Sequence, residues 1–182
     1  MIMVIVMKVI FLDFDGVINN WEHFDGVDFN NVKYLLEIIK ATDAKIVASS
    51  SKKHTFQIDP SIDIMDTCYY RDYVSVLNDY GIEIFDITPY VYESRELEII
   101  KYLEMHPEID EFLILDDDSV IKSLSGHQVF LDLYNGITLE HVEPSVNILN
   151  GKLGFYPPDF NFDESYEERL DRIHEYHRVK KK

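Results

Sequence analysis

The stretch FLDFDGVINN, residues 11–20, decides how the chain is read. An apolar run over residues 3–12 leads into two aspartates, Asp13 and Asp15, with Gly16 directly behind them. The run reads as a buried strand, so two carboxylates stand where that strand ends. Three readings compete: a metal-assisted active site, a calcium loop and a plain polar turn. The calcium loop fails by count. An EF-hand repeat places an acid or amide at position 5 and a glutamate at position 12. Counted from Asp13, those positions are Val17 and Phe24. What stands at the ends of the other strands has to separate the remaining two.

Outward from this stretch, apolar runs alternate with helical patterns. Val32, Leu35, Leu36 and Ile39 follow the i, i+3, i+4, i+7 rule and predict an amphipathic helix over residues 29–41. KIVAS (45–49) predicts a second short strand. Val74, Leu77 and Tyr80 mark another helix, and Gly81 stands where a C-terminal glycine cap belongs. IEIFDI (82–87), EFLILDDD (111–118) and HQVFLDL (127–133) predict three further strands, the last closed by the turn pair Asn135–Gly136. Between the first two of these, Ser94 caps a helix whose apolar residues are Leu97, Ile100 and Leu103. Alternation at these intervals predicts βαβ units and an α/β fold with a doubly wound, mostly parallel sheet. Residues 1–150 make the main domain. Residues 151–182 change character: Tyr156–Pro157–Pro158–Asp159 breaks regular structure, and Tyr166, Leu170, Ile173 and His177 then give a helical stripe. This extension predicts an appended helix packed on the core.

Composition narrows the function classes. With 182 residues and 46% hydrophobic content, the chain can build a full core, burying roughly 70% of the surface its unfolded form exposes. The single cysteine, Cys68, excludes an internal disulfide framework. The apolar start, MIMVIVMKVIFL, is shorter than the about 20 residues a membrane-spanning helix needs. It also lacks a basic leader and a small-residue cleavage site, so a buried strand is expected there, with no membrane partner and a cytoplasmic setting. Thirty-four acidic against 17 basic residues give a formal net charge of −17. Such a surface repels polyanions, so non-specific nucleic-acid binding is not expected. The one basic run, Arg178 to Lys182, reads as a solvated tail.

In open parallel sheets ligands bind outside the carboxyl ends of the strands. Three polar clusters fall there: Asp13 and Asp15, then Ser49–Ser50–Ser51, then Asp116–Asp117–Asp118. On an extended segment residues i and i+2 point the same way, so Asp13 and Asp15 are expected to face one small volume. Asp116 and Asp117 add carboxylates from a neighbouring strand. Acids this close repel one another unless a cation joins them, and Mg²⁺ takes oxygen ligands of this kind. Phosphoryl transfer suits the arrangement, because its catalysis is mainly positioning and charge neutralisation. One carboxylate can attack as a nucleophile, and a second can protonate the leaving alcohol and later activate water.

The order FLDFDGVIN, KIVASSS, LILDDD resembles the haloacid dehalogenase (HAD) superfamily over about residues 6–140. The resemblance implies Asp13 as nucleophile, Asp15 as acid/base, Ser49 or its neighbour Ser50 as the phosphate-binding hydroxyl, and Mg²⁺ held by Asp13, Asp15, Asp116 and Asp117. It also asks for a Lys or Arg that neutralises the phosphoaspartate. Lys52, Lys53, Arg95 and Lys101 are the candidates. A helix feeding a parallel strand starts at the carboxyl edge. Arg95 lies in such a first turn, whereas Lys101 is about 9 Å further along the axis, so Arg95 is favoured. The finer pattern is closest to the HAD domain of Swiss Army knife RNA-repair proteins, whose motifs read roughly LDIDGVLN, SSSWR, RGEEI, LDD and GLT. This chain has LDFDGVIN, SSSKK, SRELEI, LDD and Asn135–Gly136–Ile137–Thr138. Gly16, Asn19 and Lys53 complete the substrate-binding set the resemblance implies, with Lys52–Lys53 standing where the family has Trp–Arg.

Many HAD enzymes carry an inserted cap. The interval from Asp15 to Lys45 is filled by a flap, WEHFDGVDF (21–29), and one helix. The interval from Ser51 to Glu111 is filled by two helices and a strand, so a capless protein is expected. An open site admits a bulky phosphorylated end, such as a nucleic-acid terminus, unless subunit packing closes it over a small phosphorylated metabolite. Trp21, His23 and Phe24 are placed either to stack on a base or to pack over the sheet edge. The leading reading is an Mg²⁺-dependent phosphomonoester hydrolase acting on a nucleotide or nucleic-acid-end phosphate. A small-metabolite phosphatase comes next, then a non-catalytic HAD-fold binding domain, which would need neither Asp13 nor Asp15.

Overall fold

A computed structural model describes residues 6–23, 26–51, 68–91, 94–118, 121–154, 161 and 163–180. Five strands, β1 (Met7–Leu12), β2 (Lys45–Ala48), β3 (Ile84–Ile87), β4 (Ile109–Asp116) and β5 (Gln128–Phe130), form one sheet in the order β3-β2-β1-β4-β5. Every pairing is parallel. The expected doubly wound α/β architecture is therefore present, and the sheet is wholly rather than mostly parallel among the described residues. The predicted strand at 127–133 is shorter than expected, Gln128–Phe130, because a turn begins at Leu133.

Five α-helices are described: α1 (Phe29–Thr42), α2 (Cys68–Asp79), α3 (Arg95–Met105), α4 (Leu139–Ile148) and α5 (Tyr166–Lys180). Their burial follows the period-2 alternation of β1. Ile10 and Leu12 face Val32, Leu35 and Ile38 of α1, Tyr73, Val74 and Leu77 of α2, and Ile148 of α4. Val9 and Phe11 face the other way, with Val47 and Ile114, onto Ile99 and Tyr102 of α3. Both faces of the sheet are covered, which is why its strands read as continuous apolar runs.

Local signals account for the helix ends. The Asp28 side chain accepts from the N–H groups of Asn30 and Asn31 at 2.7 and 3.2 Å, capping α1. Gly81 has φ +73 after α2, as a glycine cap requires. One expectation is corrected. The stripe Leu97, Ile100, Leu103 does not mark the buried face of α3, which is Glu98, Ile99 and Tyr102. Leu97 is exposed. Glu98 turns inward because the Thr88 hydroxyl and the Val91 N–H donate to its carboxylate, at 3.5 and 3.4 Å.

The register of β1 positions the chemistry. Leu12 lies opposite Ala48 on one side and Leu115 on the other. The next residues, Asp13, Ser49 and Asp116, therefore line up at the carboxyl edge. The Asp13 N–H donates to the Leu115 carbonyl at 3.0 Å, and the Ser49 N–H donates to the Leu12 carbonyl at 2.9 Å.

Between Asp15 and Lys45 the described residues hold only a 3₁₀ turn, Trp21–His23, and α1. Residues 52–67, the breaker at 156–159 and the start of the first predicted strand lie outside the described residues. So do the side chains of Tyr166, Leu170, Ile173 and His177. The capless expectation for the second interval and the apolar stripe of the extension therefore fall outside as well. On α5, Arg169 lies over the Phe130 ring at 4.8 Å, and His174 meets Trp21 and Tyr134 edge-on at 5.6 and 5.4 Å.

Gly136 joins the last turn to the first. Its φ is +60, and a Cβ there would lie 2.7 Å from the carbonyl oxygens of Val17 and Asn19. The Ile137 N–H donates to the Val17 carbonyl at 2.9 Å. Gly136→Ala is expected to lower the unfolding free energy by about 1–3 kcal/mol, measured by urea unfolding. Gly26→Ala, whose Cβ meets nothing within 4 Å, serves as the neutral reference.

Candidate active site

Asp13, Asp116 and Asp117 offer carboxylate oxygens that all lie within 4.8 Å of one another, and all three residues are buried. Asp13 and Asp116 come from adjacent strand ends, and Asp117 from the bend that follows β4. The approach of Asp117 depends on Gly16. A Cβ at Gly16 would fall inside the Asp117 carboxylate, and the glycine has φ +66. The D-x-D-G glycine is thus required twice, for space and for backbone conformation.

Arg95 lies against two of the three acids. Its Nη2 is 3.4 Å from Asp13 Oδ2, and its Nε is 3.3 Å from Asp116 Oδ2. It occupies the first position of α3, behind the Ser94 cap, whose side chain accepts from the Leu97 N–H. Burial works against the guanidinium's charge, but Asp13 and Asp116 outweigh it and hold its pKa above the ordinary value. Lys101 sits apart, exposed and paired with Glu104 at 3.7 Å. Lys52 and Lys53 lie outside the described residues.

Asp15 departs from expectation. It does not belong to the three-carboxylate group. β1 ends at Leu12, and residues 15–18 form a turn, so the i, i+2 rule for extended chain does not hold across Asp13 and Asp15. Instead the Tyr73 hydroxyl donates to Asp15 Oδ1 at 2.7 Å, and Asn19 Nδ2 donates to the same oxygen at 3.0 Å. Asn19 also donates to the Tyr73 hydroxyl oxygen at 2.8 Å and accepts from the Gly16 N–H at 2.6 Å. Burial, then the Asp15 carboxylate, push the Tyr73 phenol well above its usual range, so it stays a donor. Helical periodicity alone does not mark Tyr73 as a partner of Asp15. Its place one residue before Val74, on the core face, was the available signal.

Ser49 and Ser50 are both buried. Ser49 Oγ and Arg95 Nη1 are buried donors with no hydrogen-bond partner among the described residues. Trp21 is 51% exposed, stacks on Tyr134 at 5.3 Å, and its backbone N–H donates to the Leu133 carbonyl. Phe24 and the His23 side chain lie outside the described residues.

The residues fit a divalent cation. Burial first, then Asp13, Asp116 and Asp118, push the Asp117 carboxyl up to about 9. A carboxyl so placed has three ways to relieve the repulsion: keep its proton, distort the edge, or share a cation.

The sequence pattern of the HAD domain in Swiss Army Knife RNA repair proteins matches residues 9–142. The chain belongs to this family. HAD domains are in general hydrolases, phosphatases among them. No curated protein and no solved structure matches the chain. No helix among the described residues is long and apolar enough to cross a membrane.

The raised Asp117 carboxyl predicts how the metal-free protein responds to pH. In the unfolded chain an aspartate titrates near ~3.9, and in the fold at about 9. Between these values the folded state holds a proton that the unfolded state has released, so stability falls as pH rises through that window. Asp117→Asn is expected to flatten the slope, as is added Mg²⁺. Chemical denaturation at pH 5, 6.5 and 8 with chelator measures it.

Proposed function

We propose that the protein is an Mg²⁺-dependent phosphomonoester hydrolase working through an aspartyl phosphate on Asp13, with residues 1–150 as the catalytic unit and 151–182 as its extension. The observation that carries this reading is the contact of the largely buried Arg95 side chain with both Asp13 and Asp116, beside the unpartnered donors Ser49 Oγ and Arg95 Nη1. A phosphoryl group is an anion with oxygens to spare for such donors. A plain acidic turn has no use for them, and a binding module would need neither Asp13 nor Asp15.

The step balances as follows. The Asp13 carboxylate attacks phosphorus while the ester P–O bond breaks, and the leaving alkoxide takes a proton from Asp15. Water then attacks phosphorus and gives a proton to Asp15 while the P–O bond to the Asp13 carboxyl oxygen breaks, so inorganic phosphate leaves and the Asp13 carboxylate is regenerated. Tyr73 and Asn19 hold the Asp15 carboxyl in place for both transfers. Gly16 admits Asp117 to the site, and Ser49 with Arg95 takes phosphoryl oxygens, Ser50 lying alongside. Lys53 is retained as a substrate contact on the strength of its motif position alone. Mg²⁺ bound by Asp13, Asp116 and Asp117 would neutralise phosphoryl charge in the transition state.

For the substrate, the RNA-repair setting of the family and the half-exposed Trp21 beside Tyr134 support a nucleotide or nucleic-acid end over a sugar phosphate. Base stacking on an aromatic tolerates any sequence. A single cysteine supports a reducing, cytoplasmic setting.

Phosphate release from an aryl phosphate, with and without Mg²⁺, tests the chemistry. Asp13→Asn is expected to reduce turnover by at least ~1000-fold. Equal background for both proteins, across nucleotides and 5′- and 3′-phosphorylated oligonucleotides, would instead favour a binding domain. Arg95→Ala is expected to cost about 100-fold or more, while Lys101→Ala stays near wild type. The reverse pattern would move the phosphate-neutralising role to Lys101. Trp21→Ala is expected to raise KM for a phosphorylated oligonucleotide and leave that for an aryl phosphate unchanged.

A further inference from the structure

The C-terminal helix lies beyond the residues that match the family, yet it reaches the loop that carries the acids. Arg169, on the first turn of α5, is only 4% exposed. Its Nη2 donates to the backbone carbonyl of Asp118 and lies 3.3 Å from Asp118 Oδ1. Its guanidinium covers the Phe130 ring at 4.8 Å. On the inner side of the same bend, the Asp118 N–H donates to Asp116 Oδ1 at 3.0 Å. One residue thus links two systems: Asp118 takes Arg169 on its carbonyl and offers its N–H to a carboxylate of the acidic group.

We propose that Arg169 is a positioning residue that holds the Asp116–Asp118 bend, and through it the orientation of the Asp116 and Asp117 carboxylates. A guanidinium suits this work because its fixed fork serves a carbonyl and a carboxylate together while its plane rests on an aromatic ring. The buried cation also lies against the Asp118 carboxylate, the acid next to Asp117 in the bend. The consequence for metal binding rests on the proposed function. The consequence for the bend does not.

Two readouts test it. The first is amide hydrogen exchange in metal-free protein. Arg169→Met is expected to raise exchange of the Asp118 amide at least tenfold while the β1 amides of Val9–Phe11 keep their protection. The second is Mg²⁺ binding by calorimetry. Partners that orient metal ligands are worth roughly 10- to 100-fold in affinity, so Arg169→Met is expected to weaken Mg²⁺ binding within that range. Turnover should return at saturating Mg²⁺ with substrate KM unchanged, which mere loss of fold would not allow. Arg169→Lys keeps the charge but not the fork and is expected to fall between, and it replaces the Met variant if that variant unfolds. Lys122→Ala breaks the exposed Lys122–Asp163 pair, another tie to the C-terminal segment, and is expected to change neither readout. Unchanged exchange at Asp118 in both Arg169 variants would overturn the proposal. If wild-type protein binds no Mg²⁺ while the Arg169 variants still loosen Asp118, the metal reading falls and the positioning role stands.

Discussion

Carboxylates that share a few ångströms of buried space repel one another, and the contacts of Arg95 let Asp13 and Asp116 stand side by side in a chain of net charge −17. A buried ion pair of this kind adds little to stability, because desolvation consumes much of the attraction. Its worth lies in what it fixes. The guanidinium can meet both acids only if α3 begins at the carboxyl edge, which the Ser94 cap secures, and only if β1 and β4 end in register, which the pairing of Leu12 with Leu115 secures. Sheet register, helix start and charge balance are thus one constraint seen from three sides.

Asp117 stands outside that contact. Gly16 makes room for it and burial denies it water. The site therefore pairs a half whose charges are balanced, Asp13 and Asp116 with Arg95, with a half left under electrostatic load. Sites arranged for chemistry are commonly strained in this way, whereas structural polar clusters are commonly quenched.

Much of this was legible because it follows from periodicity and punctuation. The strands stood out because parallel strands covered on both faces are apolar throughout, and strand ends locate chemistry by the general rule for open sheets. Asp13, Ser49 and Asp116 could be placed at one edge for that reason alone. Three things were not legible, each because a distant element decides it. The buried face of α3 includes Glu98, which a hydrophobic pattern assigns to solvent, since its partners come from the 88–91 loop. Asp15 takes a hydrogen bond from Tyr73, 58 residues along the chain, and stands apart from the three-carboxylate group. Arg169 reads as one of several charges on a polar helix, and nothing local marks it as buried. Pattern reading recovers which residues share an edge, and fails where a polar side chain is drawn inward by a partner remote in sequence.

The strand order has a consequence for how the protein comes into being. β1 sits at the centre of the sheet and pairs on one side with β4, so Leu12 waits for Leu115, about a hundred residues downstream. Parallel pairing over such a span is slow, because a long loop must close before any contact rewards it. During synthesis Asp13 and Ser49 leave the ribosome well before Asp116 and Asp117. Until β4 docks, the growing chain carries its acids apart and in water, where they do not repel. The electrostatic cost of the site is thus incurred only when β4 pairs with β1 and brings Asp116 and Asp117 to Asp13.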